Sequence, residues 1–570
     1  MTSQRFWWNI VYVEILVVIL RSGAFLPFRR LALFAFSLVA LHAAESTLPE
    51  LKEAGAQITS DNLLRYIKEL SSDAYGGRLP GTPGEEKSVA YLISQCKAIG
   101  LQPGSPEGGW TQTVPLWGTL SHGALNLLAG GKSITLTPSH DYVAWSVLPD
   151  EEINLPATDV VFVGYGTIAP EYQWNDYADV DVHGKTVVIL SGDPPMADPH
   201  DPAKLDEHMF LGRALTVYGR TGTKLQTAYD HGAAAVILIS SAAQPGANLF
   251  QNFSRENMIL RDAETRKRVK AQALLQSDRA AEWFAAAGQD WNALRSAAAK
   301  TGFRAVPMGA QAGFQIANQV REINSANVVA KIPGSDPKLK NEYVVYSGHW
   351  DHHGQVGNQI FHGASDNAAG TAGVLELARA FHSLRPAPRR TLIFLWPTAE
   401  EKGLLGARYY VEHPLYPLRQ TVADINLDYF SNWGWGRTRD FSIVGIGNST
   451  LDDLTAQAVK RQGRTLTGDT APEQGFYFRS DHYEFARLNV PSLETSPGIE
   501  HLGKPAGFGA TKRTEYIRND YHQPSDQIKA DWDLRGAVED LQVLLEVGFR
   551  VAQEDERPQW KPDAVWRPKQ

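Results

Sequence analysis

The chain holds a single cysteine, Cys96, among 570 residues. An intrachain disulfide is therefore impossible, and so is a zinc site built from several cysteines. Cys96 itself falls on the apolar face of a helix, with Val89, Leu92 and Ile93, and reads as a small buried residue. No run of basic residues occurs, and the formal net charge is -8. An acidic body without a basic patch argues against nucleic acid as a partner. There is no His-Glu-x-x-His pair, so a single-zinc thermolysin-like centre is disfavoured. There is no Gly-x-Ser-x-Gly elbow either, which counts against a serine nucleophile of the α/β-hydrolase kind. Gly164-Tyr165-Gly166 lacks the rest of a dinucleotide fingerprint and reads as a turn. No internal repeat or extended low-complexity tract is present.

Long apolar runs are confined to the start of the chain. Arg29-Arg30 precede the run Leu31 to Leu41, and His42-Ala43-Ala44 follow. This is the layout of a secretory signal over residues 1–44, with a cut after Ala43 or Ala44. A second run, Ile10 to Leu20, is too short to span a bilayer comfortably, which leaves an uncleaved N-terminal anchor as the alternative. An exported protein without disulfides suits a bacterial periplasm, or the extracellular space, better than a eukaryotic secretory route.

The body, 43% hydrophobic over the whole chain, can bury large cores and more than one domain. Residues 45–149 open with a helical stretch, Asn62 to Leu70. A Gly/Pro-rich turn follows, then the helix of Val89 to Cys96, ended by Gly100. Residues 150–322 carry short β-rich runs at Asp159 to Val163 and Thr186 to Leu190. The helix Thr223 to His231, Gly232 and the apolar run Ala235 to Ile239 complete an α/β unit. Residues 323–570 show an α/β pattern. Its strand-like runs are Ala326 to Ile332, Tyr343 to Ser347, Thr391 to Trp396 and Val422 to Leu427, and its closing helix is Leu534 to Val551. Strands alternating with helices imply a sheet covered on both faces. The Trp/Pro-rich tail after Glu554 is a surface strap or a disordered end.

Five potential metal ligands lie in chain order in the second half: His349, Asp366, Glu401, Asp428 and His522. His349 and Asp351 sit in Ser347-Gly348-His349-Trp350-Asp351. Asp366 sits in Gly363-Ala364-Ser365-Asp366-Asn367, Glu401 follows Glu400, and His522 sits in Asp520-Tyr521-His522-Gln523-Pro524. Alone, each motif is weak, because a His-x-Asp is more often a core pair and adjacent glutamates a solvated one. Three of the segments, however, directly follow strand-like runs, and open α/β sheets bind ligands beyond the carboxyl ends of their strands. Two imidazoles and three carboxylates suit a pair of zinc-like ions, and Glu400 is left over as a base. The combination points to metal-assisted hydrolysis. His352, His353 and His362 are read as rim or loop residues.

These segments together resemble the co-catalytic zinc exopeptidases, the family of aminopeptidase Y, secreted bacterial leucine aminopeptidases and glutamate carboxypeptidase II. Arg78-Leu79-Pro80-Gly81-Thr82-Pro83-Gly84 and the following helix look like the family's N-terminal segment, and residues 150–322 like its inserted protease-associated domain. The resemblance implies a mixed-sheet α/β zinc-exopeptidase core with helices on both faces plus a β-rich insert. It implies two Zn²⁺ ions and peptide substrates. Asp366 would bridge the ions, His349 and Asp428 would hold one, and Glu401 and His522 the other. Glu400 would be the general base, pointing away from Glu401 because neighbours on an extended strand end face opposite sides. The Asp351 carboxylate would fix the tautomer of His349. A cis peptide is expected between Asp366 and Asn367, and Tyr521 is a candidate donor to the oxyanion. Ser480-Asp481-His482 resembles a segment beside the substrate pocket. The expected activity is aminopeptidase. A carboxypeptidase on the same scaffold would need an arginine such as Arg437, Arg439 or Arg479 at the substrate carboxylate. A glutaminyl cyclase or an inactive receptor-like protein fits less well, given the insert and the complete ligand set.

Overall fold

Apolar β-branched runs of five or six residues are fully buried strands when both faces of a sheet are covered. The structure, a computed structural model, follows this rule in both halves of the chain. It describes residues 50–240, 255–428 and 434–566. The expected signal or anchor over residues 1–44 lies outside them. Among the described residues no helix is long and apolar enough to cross a membrane. Residues 50–55 are helical and belong to a first compact unit. The sheet and the site belong to a second, which begins at Gln57.

Tyr343–Ser347 is the central strand of the C-terminal half. It pairs in parallel with Thr391–Trp396 on one side and Thr421–Asn426 on the other. Ser492–Pro497 continues the parallel set and Asp440–Val444 joins it antiparallel. The helices Gly370–Ser383 and Arg535–Gln553 bury an apolar face each. Val345, Ile393 and Leu395 pack with Tyr410 and Phe485 in one of the buried clusters. At roughly 1.5–3 kcal/mol for each large apolar side chain removed from water, these layers dominate the stability of the half.

The strands of residues 150–322 form a parallel run, Glu152–Phe162, Thr186–Leu190, Ala235–Ile239 and Ala271–Leu275. One face packs around Phe162, Phe284 and Trp291, and the other around Tyr177, Val187 and Ala228. The two halves share one sheet. Val306–Ile332 is a 27-residue strand. It pairs with Thr111–Ala129 from Ala310↔Ala129 to Val328↔Thr111, and its last residues pair with Thr391–Trp396. The expected boundary between residues 322 and 323 thus falls inside a continuous strand. Alternating exposed and buried residues along it leave no local mark of the crossing.

Cys96 is buried on the helix Pro83–Ile99, and Gly100 caps that helix at φ 95°. Beyond Glu554 the tail is a strap: Gln559 O accepts from Thr450 N at 2.9 Å, and the Trp566 ring stacks 4.9 Å from Tyr477.

Candidate metal centre

Ser347 is the register partner of both Leu395 and Asn426. Parallel strands lie about 4.8 Å apart, so residues just beyond these positions emerge at one edge of the sheet. His349, Glu400, Glu401 and Asp428 leave the sheet there. Asp366 arrives from the loop before the helix Gly370–Ser383. Its peptide bond to Asn367 is cis, as expected. Asn367 Nδ2 donates to Leu427 O at 2.9 Å, and Gly370 N donates to Asn367 Oδ1 at 2.9 Å, which ties this loop to the strand end carrying Asp428. A Cβ at residue 370 would collide with Leu427 O and Asn367 Oδ1, so only glycine fits.

The five sequence-predicted ligands converge in two clusters that share Asp366. His349 Nε2 lies 3.4 Å from Asp366 Oδ1 and 3.4 Å from Asp428 Oδ1. His522 Nε2 lies 3.1 Å from Asp366 Oδ2 and 3.1 Å from Glu401 Oε2. The two oxygens of Asp366 therefore serve different clusters. His349 Nε2 is buried with no hydrogen-bond partner among the described residues. Donors bound tetrahedrally to one ion at about 2.0–2.2 Å stand ~3.3–3.6 Å apart; the 3.4 Å spacings of the His349 cluster fall in that range, and the 3.1 Å spacings of the His522 cluster lie just below it. The residues thus fit a zinc-type ion.

The electrostatics agree. Burial would lower the pKa of His349, but Glu400, Asp351, Asp366 and Asp428 outweigh it and raise it well above the usual value. Burial and Glu401 would raise Asp366, yet His349 and His522 hold it down to about 2. Burial would likewise lower His522, and Glu401 with Asp366 lift it to about 9. The carboxylates that draw protons onto these imidazoles would attract a divalent cation for the same reason, concentrated negative charge in low dielectric.

Glu400 is buried, with Oε2 3.6 Å from His349 Nε2. Burial, joined by Asp428 and Glu401 and opposed by His349, pushes its pKa well above the usual carboxylate range. The two glutamates do not sit on an extended strand end. The strand stops at Trp396, and Glu400–Lys402 forms a 3-10 turn after Ala399 at φ 52°. Successive residues of such a turn diverge by about 120°, which still separates the two carboxylates.

Asp351 differs from expectation in its contacts. His349 Nδ1 is 3.3 Å from the main-chain carbonyl of Asp351 and 3.6 Å from its carboxylate. The carboxylate also accepts from Glu400 N at 3.0 Å and Glu401 N at 3.4 Å.

His352 and His353 are not rim residues. Both are buried, and His352 N donates to Arg78 O at 3.2 Å. His352 Nδ1 lies 2.5 Å from Glu401 Oε1. The ionised carboxylate can only accept, so the ring donates. That spacing is too short for two ligands of one ion and marks a short hydrogen bond to a charged acceptor. His353 Nε2 lies 3.2 Å from Glu401 Oε2. His362 is a loop residue, 2.8 Å from Asp73 Oδ1.

Further residues support the two clusters. Arg78, 1% exposed, donates to the carbonyls of Trp350, Leu70, His362 and Gly363, and so stitches the N-terminal turn to the loops of His349 and Asp366. Asp526 accepts from Ser365 N and Asp366 N at 3.1 Å each. Ser480 Oγ donates to Asp428 Oδ2. Ser480, Arg479 and Tyr521 line a small pocket with Glu400, Asp428 and Glu494, walled by Val444 and Phe476. Arg479 Nη2 donates to Tyr521 Oη at 2.8 Å. Burial holds the Tyr521 phenol well above its usual pKa, so it keeps its proton. His482 is buried and lies 3.8 Å from Glu494, away from both clusters. Arg437 is paired with Glu539 at 2.6 Å.

Carboxylates and imidazoles gathered at the strand ends of a mixed α/β sheet make two clusters that could each hold a metal ion. Residues 327–545 match the family model described as Peptidase family M28. Over 134 residues the chain is 36% identical to Aminopeptidase NAALADL1 of Rattus norvegicus, covering 22% of this chain and 17% of that protein. Over 213 residues it is 26% identical to Leucine aminopeptidase 2 of Trichophyton equinum, covering 35% of this chain and 40% of the other. The match thus spans well under two thirds of either relative. The aminopeptidase from Aneurinibacillus sp. strain AM-1 has the same fold, at 20% identity and a TM-score of 0.52, over 91% of this chain and 98% of that one.

Proposed function

We propose that this protein is a zinc-dependent aminopeptidase that removes N-terminal residues from peptides, with two ions held around Asp366. The observation that carries the reading is the division of the Asp366 oxygens between the His349 and His522 clusters, with Glu400 3.6 Å from His349. Zinc held by these residues would supply a water of lowered pKa, about 7, and a Lewis acid for the scissile carbonyl. Glu400 is placed to accept a proton from the attacking water and to return it to the leaving amine. Its burial favours the protonated form, which suits the second of these roles. Tyr521 keeps its phenolic proton and can donate to the oxyanion. Glu494 offers a carboxyl oxygen in the pocket as an acceptor for a free α-ammonium group, and the similar proteins named above are aminopeptidases. Residues 150–322 limit access to peptide ends in this reading, and the apolar N-terminal run makes the enzyme an exported one.

Arg479 favours a second reading. Its guanidinium lines the same pocket and would suit the terminal carboxylate of a carboxypeptidase substrate. Free-amine, N-acetylated and C-amidated versions of one peptide, offered with and without a chelator, separate the two. The aminopeptidase should refuse the acetylated peptide, cleave the amidated one, lose activity to the chelator and regain it with zinc. Cleavage of the acetylated peptide and refusal of the amidated one would establish the carboxypeptidase instead.

A further inference from the structure

His522 has a left-handed backbone, φ 58°, which a side chain with a Cβ adopts only when its surroundings hold it there. Its neighbours are fixed from within the C-terminal half. Tyr521 N donates to Tyr516 O at 2.9 Å, and Gln523 N donates to Asp520 O at 2.9 Å. The carbonyl of His522 meets a donor from elsewhere in the chain. Arg255 Nη2 donates to it at 3.2 Å across 267 positions of sequence. The Arg255 guanidinium is 4.1 Å from the centroid of the Phe361 ring, and the residue is 8% exposed. It is also firmly anchored. The adjacent strand Asn257–Leu260 pairs with Leu116 to Thr119, and Glu256 binds Arg321 at 2.6 Å.

We propose that Arg255 is a positioning residue for the second metal position, locking the backbone of His522 so that its Nε2 stays aimed at Asp366 and Glu401. This rests on His522 being a ligand. Residues 150–322 would then do more than shade the cleft, because one of their side chains completes the geometry of the centre. A flat guanidinium suits the place, since it stacks on Phe361 while it donates in its own plane. Burial lowers the pKa of Arg255 to about 10, with Glu401 opposing, so the group remains a cation at neutral pH.

Zinc titration of the chelator-stripped full chain, followed by calorimetry and by metal analysis, tests the assignment. Wild type should bind two ions and His522→Ala one. Outer contacts of this kind alter metal affinity by about 10–100-fold. Arg255→Ala should therefore weaken one binding step by that factor and leave the other unchanged. kcat should fall while KM holds, and Arg255→Lys, which can still donate, should recover part of the loss. Should Arg255→Ala fail to fold by circular dichroism, Arg255→Gln and Phe361→Leu carry the comparison. Wild-type constants for both steps in the Arg255 variants, with one ion lost in His522→Ala, would overturn the positioning role alone. Two ions retained by His522→Ala would overturn the ligand reading and the proposal with it.

Discussion

The Asp351 carboxylate accepts the backbone N–H of Glu400 at 3.0 Å. It thereby joins the loop after one strand to the turn after its neighbour, and fixes the residue proposed as the base. Asparagine at 351 would keep one acceptor but present an amide N–H₂ toward Glu401 N, 3.4 Å away. Asp351→Asn should lower kcat by roughly 10–100-fold, as loss of an outer contact to a metal centre does. Steady-state kinetics together with metal analysis check this, because metal content should stay at the wild-type level.

Glu400→Gln keeps the shape of the side chain and removes its ability to take a proton. General acid–base catalysis contributes about 10²–10⁴-fold, so kcat should fall by that factor with both ions still bound. Full activity in this variant would remove Glu400 from the mechanism.

Tyr521→Phe removes one donor and leaves Arg479 facing the pocket without its 2.8 Å partner. Loss of an oxyanion donor costs about 10²–10³-fold in kcat. An unchanged kcat would reduce Tyr521 to a packing residue.

Asp424 offers a test of stability. Burial raises its pKa to about 8, with the Ser347 hydroxyl opposing. The native protein therefore holds a proton on Asp424 that the unfolded chain has released above its ordinary carboxyl pKa, about 3.9. Stability falls with pH wherever the native state binds more protons, here from about pH 4 up to about pH 8. Asparagine can accept the same Ser347 hydrogen bond, made at 2.8 Å, and never ionises. Asp424→Asn should flatten this part of the curve and raise the melting temperature at pH 8 relative to wild type. Equal pH slopes for the two proteins would show that Asp424 is ionised in the fold.

Much of the framework was legible locally. Tyr343–Ser347, Thr391–Trp396, Thr186–Leu190 and Ala235–Ile239 begin and end where the apolar runs do. Two-sided burial demands unbroken apolar residues, and polar residues or glycine end the demand sharply. The Glu400–Glu401 turn was not legible. Its left-handed Ala399 carries no glycine or asparagine to announce it, and tertiary packing imposes it. The burial of His352 was equally hidden, since its backbone N–H bonds the carbonyl of Arg78, far away in sequence.

The sequence by itself determined the donors: their kinds, their order, and the placing of three of them just beyond strands. Those features follow from side-chain chemistry and from periodicity over a few residues. Only the tertiary structure decided that the Asp366 oxygens part between two clusters, that Asp351 grips the turn of Glu400, and that Arg78, Asp526 and Arg255 brace the loops. Most of these contacts join residues 49 to 272 positions apart. They depend on which strand lies beside which and in what register, and no short stretch of sequence carries that information.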